Sequence, residues 1–362
     1  MPVSSTSAEE PAQRLPHSIE RNMNAQSLLP SHRPLLDFFR QSVASFQSAS
    51  NIPFQVVCTL TSPVRSGPAA LLQHRITATA TPTPAPVGRG LAPKKLVVLD
   101  SSFNPPTLAH LWMARDAVVE ELKRTEWKGV RLLLLLAVQN ADKAPKPAGF
   151  EQRLAMMWAF ARDVRSSIDE ELKGVDGVAR GTNVTIDVGL TTKPFFHEKS
   201  EAIARSDFYK EQAVKGEKTE EKEGEEMEQV ILAGYDTLIR IFSPKYYGDE
   251  GIKRALGPFF DRSRLRLTMR TDAEWGNREE QMGYVNELLR GDGLEKIGGS
   301  KEWARRIEID EKKIGGKAGI VSSTLAREAA KNKDWDRVGQ LVPTEVRRWV
   351  EREGLYSDDQ NP

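Results

Sequence analysis

Short apolar blocks alternate along this chain with longer stretches whose apolar residues return at helical spacing. Blocks such as Leu96–Leu99 and Leu132–Val138 are brief, rich in bulky or branched residues and bounded by polar ones. They read as buried strands. Strands are predicted at 96–99, 131–137, 183–188, 229–233 and 264–268. Helical periodicity predicts helices at 108–123, 150–172, 199–213, 235–242, 277–290, 322–331, 333–340 and 343–353. Strand–helix alternation at these separations predicts an α/β domain, doubly wound, with a mostly parallel sheet and helices on both faces.

Upstream the pattern changes. Residues 1–33 are polar, with scattered Pro, Ser and Gln, and are expected to be disordered. Residues 34–76 form an extension: Leu35, Leu36, Phe38, Phe39, Val43 and Phe46 predict an amphipathic helix, and Phe54–Leu60 a strand. Residues 77–94, rich in Thr, Pro and Ala, are a linker by composition, and the main domain runs from 95 to 356. Within it, residues 210–228 carry many Lys and Glu and few apolar side chains, which predicts a solvated insertion loop.

Composition narrows the class. With 362 residues there is room for one large domain or two modest ones. A net charge of +1 argues against nucleic acid as the partner. The single cysteine, Cys58, excludes an intramolecular disulfide and a multi-cysteine zinc site, and suits a reducing compartment. No apolar run approaches the roughly 20 residues of a membrane helix. Met1–Glu10 lacks an export pattern, so cytoplasm and nucleus are the expected locations.

The chemistry gathers at one stretch. The block Leu96–Leu99 leads through Asp100-Ser101-Ser102-Phe103-Asn104-Pro105-Pro106-Thr107 into a helix beginning at Leu108. The prolines lack amide hydrogens and fix the backbone just before the helix, Thr107 is a natural N-cap, and His110 rides the first turn. In an open α/β sheet, a strand end followed by a helix start offers free amides, a positive dipole end and a crevice suited to phosphates. Ser322-Ser323-Thr324 opens a later helix with three hydroxyls, and Arg327 follows one turn on as a bidentate donor. Lys143 and Lys146 lie in the loop after the second strand of the domain, which would open onto the same crevice. Arg153, on the next helix, reads as an ion-pair or helix-surface residue. Trp158 and Phe195 are candidates for stacking on a ligand ring, although Trp158 also falls in step with Leu154, Met157 and Ala161, as a core residue does.

Three of these stretches carry a resemblance. Ser102-Phe103-Asn104-Pro105-Pro106-Thr107, followed by His110, resembles the first signature of the nucleotidylyltransferase superfamily. Gly234-Tyr235-Asp236-Thr237-Leu238 and Val321-Ser322-Ser323-Thr324-Leu325-Ala326-Arg327 resemble two further boxes, in the family's order. The wording around Asp100, Asn140–Pro147 and Asp236–Phe242 is most similar to fungal nicotinamide-nucleotide (NMN) adenylyltransferase-like proteins, over roughly residues 94–356. The resemblance implies a Rossmann-like sheet with a helical C-terminal part. It also implies transfer of AMP from ATP, accompanied by Mg²⁺, to NMN, giving NAD and pyrophosphate.

In that reading His110, Lys143 and Arg327 carry catalysis. Ser102, Phe103, Thr107 and His110 meet ATP from the turn, and Lys146 from the next loop. Gly234 and Asp236 meet the adenosine side, while Ser322, Ser323, Thr324 and Arg327 meet the triphosphate. Trp158 and Phe195 hold the acceptor, and no protein metal ligand is implied. Two departures stand out: Ser101 occupies the place of the signature's first glycine, and the Trp-Glu pair usual after the third strand is missing. The same site would also suit another acceptor such as phosphopantetheine, a cytidylyl donor, or an ATP-binding or ATP-hydrolysing interaction protein.

Overall fold

The computed structural model describes residues 32–49, 51–61, 93–138, 148–175, 184–210, 227–269, 275–310 and 320–357. Lys143, Lys146, the first 31 residues, most of the linker and most of the charged insertion lie outside these. Seven strands form one sheet: β1 (Phe54–Leu60), β2 (Lys95–Asp100), β3 (Val130–Ala137), β4 (Thr185–Thr191), β5 (Glu228–Gly234), β6 (Ser263–Thr268) and β7 (Ile307–Ile309). Their order is β1-β4-β3-β2-β5-β6-β7, with every pairing parallel except β1 with β4. The chain builds outward from β2 to β3 and β4, then crosses back to place β5, β6 and β7 on the other side. The C-terminal ends of β2 and β5 therefore flank a topological switch point, where open α/β sheets bind ligands.

Both faces are covered, which is why β3 is an unbroken leucine run. Leu132 and Leu134 point with Val97 and Leu99 into one core, and Leu133 and Leu135 with Leu96 and Val98 into the other. The first face carries α1 (His32–Ser48), α2 (Leu108–Arg124), α3 (Phe150–Glu171) and three C-terminal helices. The second carries α4 (Phe196–Arg205), α5 (Tyr235–Ile241), α6 (Gly251–Arg262), α7 (Arg278–Leu289) and the short α8 (Gly293–Lys296). The C-terminal helices are α9 (Ser323–Lys331), α10 (Trp335–Leu341) and α11 (Thr344–Glu353).

Several elements differ from the periodicity reading, the short α8 among them. Helix α6 is not among the expected elements; it holds an internal Pro258, and burial of Ile252, Leu256, Phe259 and Phe260 outweighs that cost. The helix expected to run to 213 stops at Arg205, and the chain turns so that the Tyr209 hydroxyl reaches Asp187. Strand β7 is only three residues long, too short to show a period.

The N-terminal extension joins the main body. Helix α1 packs on α3, burying Leu35, Phe39 and Phe46, and β1 adds an antiparallel edge beside β4. A buried polar knot fastens this edge. Asp187 of β4 is fully buried and accepts from Arg131 of β3 (2.7 and 3.0 Å), Thr59 of β1 (2.8 Å) and Tyr209 (3.0 Å).

A second carboxylate makes a cap between helices. Pro343 precedes α11 and offers no side-chain acceptor, so Asp163 of α3 accepts from the amides of Glu345 and Val346 instead. Burial pushes its carboxyl up to about 7, against the lowering effect of those two hydrogen bonds. A folded-state value above the unfolded one means the folded chain holds an extra proton in between, so stability falls as pH rises from about 4 to about 7. Asp163→Asn keeps the acceptor and removes the charge. Its thermal midpoint should gain on wild type between pH 5 and pH 8, and a difference independent of pH would refute the assignment.

Candidate functional site

The turn after β2 is built by burial on one side and hydrogen bonds on the other. Phe103 takes a positive φ of 46°, uncommon for a side-chain-bearing residue, and its buried ring lies 5.8 Å from His110 and 6.1 Å from Phe160. The role expected of Phe103 toward ATP is one for its backbone amide; its side chain anchors the turn in the core. The Asn104–Pro105 peptide is cis, and Pro105-Pro106 leads into α2.

His110 stands at the third position of α2 and closes a capping box there. The Thr107 amide donates to Nδ1 at 3.0 Å, and Thr107 Oγ1 lies 2.8 Å from the same nitrogen. An amide can only donate, so Nδ1 presents a lone pair and the proton of the neutral ring sits on Nε2. That nitrogen lies 3.0 Å from Ser101 Oγ.

The start of α9 meets the same turn from the far end of the chain. Ser322 caps the helix by accepting from the Leu325 amide (3.2 Å). Ser323 Oγ donates to the Pro105 carbonyl (2.8 Å), and Arg327 Nη1 to the Asn104 carbonyl (2.9 Å). Arg327 Nη2 also reaches Thr324 Oγ1 (3.1 Å). Two helix starts thus share one loop, and helix starts are favourable places for an anion. Arg327 was expected to stand over that cradle purely as a ligand donor. It braces the loop as well, because two of its nitrogens already have protein partners.

Two residues that the sequence reading did not place here complete the support. Arg153 is 6% exposed, not a surface residue, and donates from Nε to the Ala148 carbonyl. Its burial lowers the guanidinium's proton affinity; nearby Tyr356 opposes that and the like charge of Arg327 adds to it. The signal was legible, since Arg153 keeps step with the buried Met157 and Phe160 along α3. Tyr356 donates its hydroxyl to Asn104 Oδ1 at 2.9 Å, and burial pushes that phenol well above its usual range. No local pattern marks a tyrosine beyond the last helix for this task.

Other predicted residues spread out. Ser102 is exposed on the turn. Gly234 ends β5, and Asp236 opens α5, paired with Arg240 at 3.1 Å. Trp158 is 8% exposed within the first core, so it is a packing residue and not an open stacking face. Phe195 follows β4 half-buried, stacked on His197 at 5.8 Å and tilted against Tyr246 at 6.0 Å. Between that cluster and the turn, Asp100 pairs with the buried Lys199 of α4 at 2.5 Å. Sequence reasoning missed this ion pair, whose partners lie a sheet strand and a helix apart.

No family model matches the chain. A fission-yeast protein, Schizosaccharomyces pombe "Putative nicotinamide mononucleotide adenylyltransferase", is 32% identical over 254 residues, covering 70% of this chain and 82% of its own. Among solved structures, the Plasmodium falciparum nicotinic acid mononucleotide adenylyltransferase complexed with APC aligns with 74% of this chain and 98% of its own. The identity there is 12% and the TM-score 0.36, a level from which nothing is transferred.

Proposed function

Since this chain belongs to the nicotinamide mononucleotide adenylyltransferase-like branch of the nucleotidylyltransferases, we propose that it transfers AMP from ATP to NMN, forming NAD and pyrophosphate. The observation that supports this reading most is the shared loop. The His110 turn and the α9 start are joined through Ser323 to Pro105 and Arg327 to Asn104, beside the switch point of the sheet.

The chemistry asks little covalent help of the protein. A phosphate oxygen of NMN attacks the α-phosphorus of ATP. The bond to the bridging oxygen breaks, and pyrophosphate leaves with its electron pair. The attacking phosphate is mostly dianionic at neutral pH, with a second pKa of about 6, so no general base is needed. What remains is to bring two anions together and to stabilise charge spreading over phosphate oxygens. The His110 turn with its hydrogen-bonded Ser101, the α9 start and Arg327 supply donors held in place before substrate arrives. In this reading Lys143 and Lys146 add charge from the segment after β3, and Phe195 offers a ring face to the nicotinamide. Mg²⁺ enters as the ion carried by the triphosphate, its usual mode of binding.

Incubating the protein with ATP, Mg²⁺ and a panel of acceptors (NMN, nicotinate mononucleotide, phosphopantetheine) tests the assignment. NAD should form with turnover on NMN; transfer to a different acceptor alone would replace it. Arg327→Ala should raise KM for ATP by about tenfold or more, as expected for losing one charged hydrogen bond. An unchanged KM in a folded variant would remove Arg327 from the triphosphate site.

A further inference from the structure

Ser101 stands where the resemblance places a glycine, and its hydroxyl occupies the position that the reactive edge of His110 faces. We propose that Ser101 is itself the group that meets the transferring phosphate, and that His110 acts through it. This rests on the adenylyl-transfer reading above. The distance of 3.0 Å from Nε2 to Oγ fixes the contact, and the capping box fixes its direction. Because the Thr107 amide donates to Nδ1, Nε2 carries the hydrogen and Ser101 Oγ accepts it. The ring is held by Thr107 on one side and lies against Phe103 on another, so turning it away breaks the capping box.

This direction excludes a familiar alternative. A serine–histidine nucleophile needs an unprotonated Nε2 and a protonated Nδ1, the reverse of what the Thr107 amide enforces. Ser101 therefore forms no covalent bond and loses no proton here. Having accepted from the imidazole, its hydroxyl keeps one hydrogen to donate. Ser101 is half-buried at the end of β2, its backbone held by a bond from its amide to the Leu135 carbonyl (3.3 Å). A phosphate oxygen entering the crevice cannot share the position of Oγ beside Nε2. It meets the serine hydrogen, giving a chain from Nε2–H to Oγ–H to the phosphate oxygen. Hydrogen bonds in such chains polarise one another, so charge developing on the phosphate strengthens both. Ser101 is then a catalytic residue, and His110 the residue that positions and polarises it.

The experiment uses the full chain with ATP, Mg²⁺ and NMN. Ser101→Ala should lower kcat by about 10²-fold, the loss of one transition-state donor, with KM for ATP changed less than about threefold. Ser101→Thr, which keeps the hydroxyl, should recover most of the rate. In a His110→Ala background, Ser101→Ala should cost less than about threefold more, because the two act as one unit. A Ser101→Ala enzyme at the wild-type rate overturns the proposal, and so does a full multiplicative loss in the double variant. A second measurement is independent of turnover: the ring nitrogens of ¹⁵N-histidine-labelled protein should report the Nε2–H form of His110. Its hydrogen should exchange faster with water in Ser101→Ala. If the wild-type chain adenylylates no acceptor, the function reading fails by that result alone. The relay is then judged by the spectrum, where an Nδ1–H ring overturns it.

Discussion

Replacing His110 by Ala should lower kcat by about 10²-fold or more, the effect of disabling the one preorganised donor unit that it forms with Ser101. Alanine also leaves the Thr107 amide without its Nδ1 partner, which costs about 1 kcal/mol of helix-capping stability. The two consequences are separable. Glutamine at the third helical position is a standard capping-box partner, so His110→Gln should restore the cap without restoring the imidazole. We expect His110→Gln to melt close to wild type while remaining as slow as the alanine variant. A glutamine enzyme at near wild-type rate would mean that His110 serves the helix alone.

The second large effect concerns stability and lies at the far edge of the sheet. Asp187 is fully buried and accepts from Arg131, Thr59 and Tyr209, three groups from three segments. Burial raises its proton affinity and Arg131 draws it back down. Asp187→Ala removes the acceptor and takes the carboxylate away from a guanidinium that is itself largely enclosed. Losing one partner of a buried pair typically costs about 3–5 kcal/mol, and urea denaturation should show a loss of that size. Because Thr59 lies on β1, the amides of β1 should also exchange with solvent faster than those of β2. A loss below about 1 kcal/mol would show that the knot is well hydrated and contributes little.

Periodicity carried most of the architecture because both faces of this sheet are covered. Strands buried on two sides become apolar blocks, and β3, with five consecutive leucines, could hardly be read otherwise. What it could not carry were elements held by distant partners. Helix α6 survives an internal Gly-Pro because its phenylalanines are buried. The end of α4 is set by a tyrosine seeking a carboxylate on β4.

The site divides in the same way. His110, Thr107, Ser323 and Arg327 were legible because turn and cap chemistry leave local signatures of proline, threonine and serine. The direction of the His110 hydrogen bonds was not, since it depends on where the Thr107 amide points once the helix is formed. Trp158, offered as a stacking candidate, had the register of a core residue, and the core is where it lies. Arg153 was read as a surface charge because arginine is seldom found buried, although its own register argued otherwise.

The hydroxyl of Tyr356 supports Asn104, on the turn that leads into the His110 helix, across 252 positions of chain. A polypeptide emerging from the ribosome can complete β2, β3 and α2 long before that tyrosine has been made. The crevice is therefore finished only once residue 356 has been made, and nascent chains halted before it would hold an assembled sheet beside an unbraced turn.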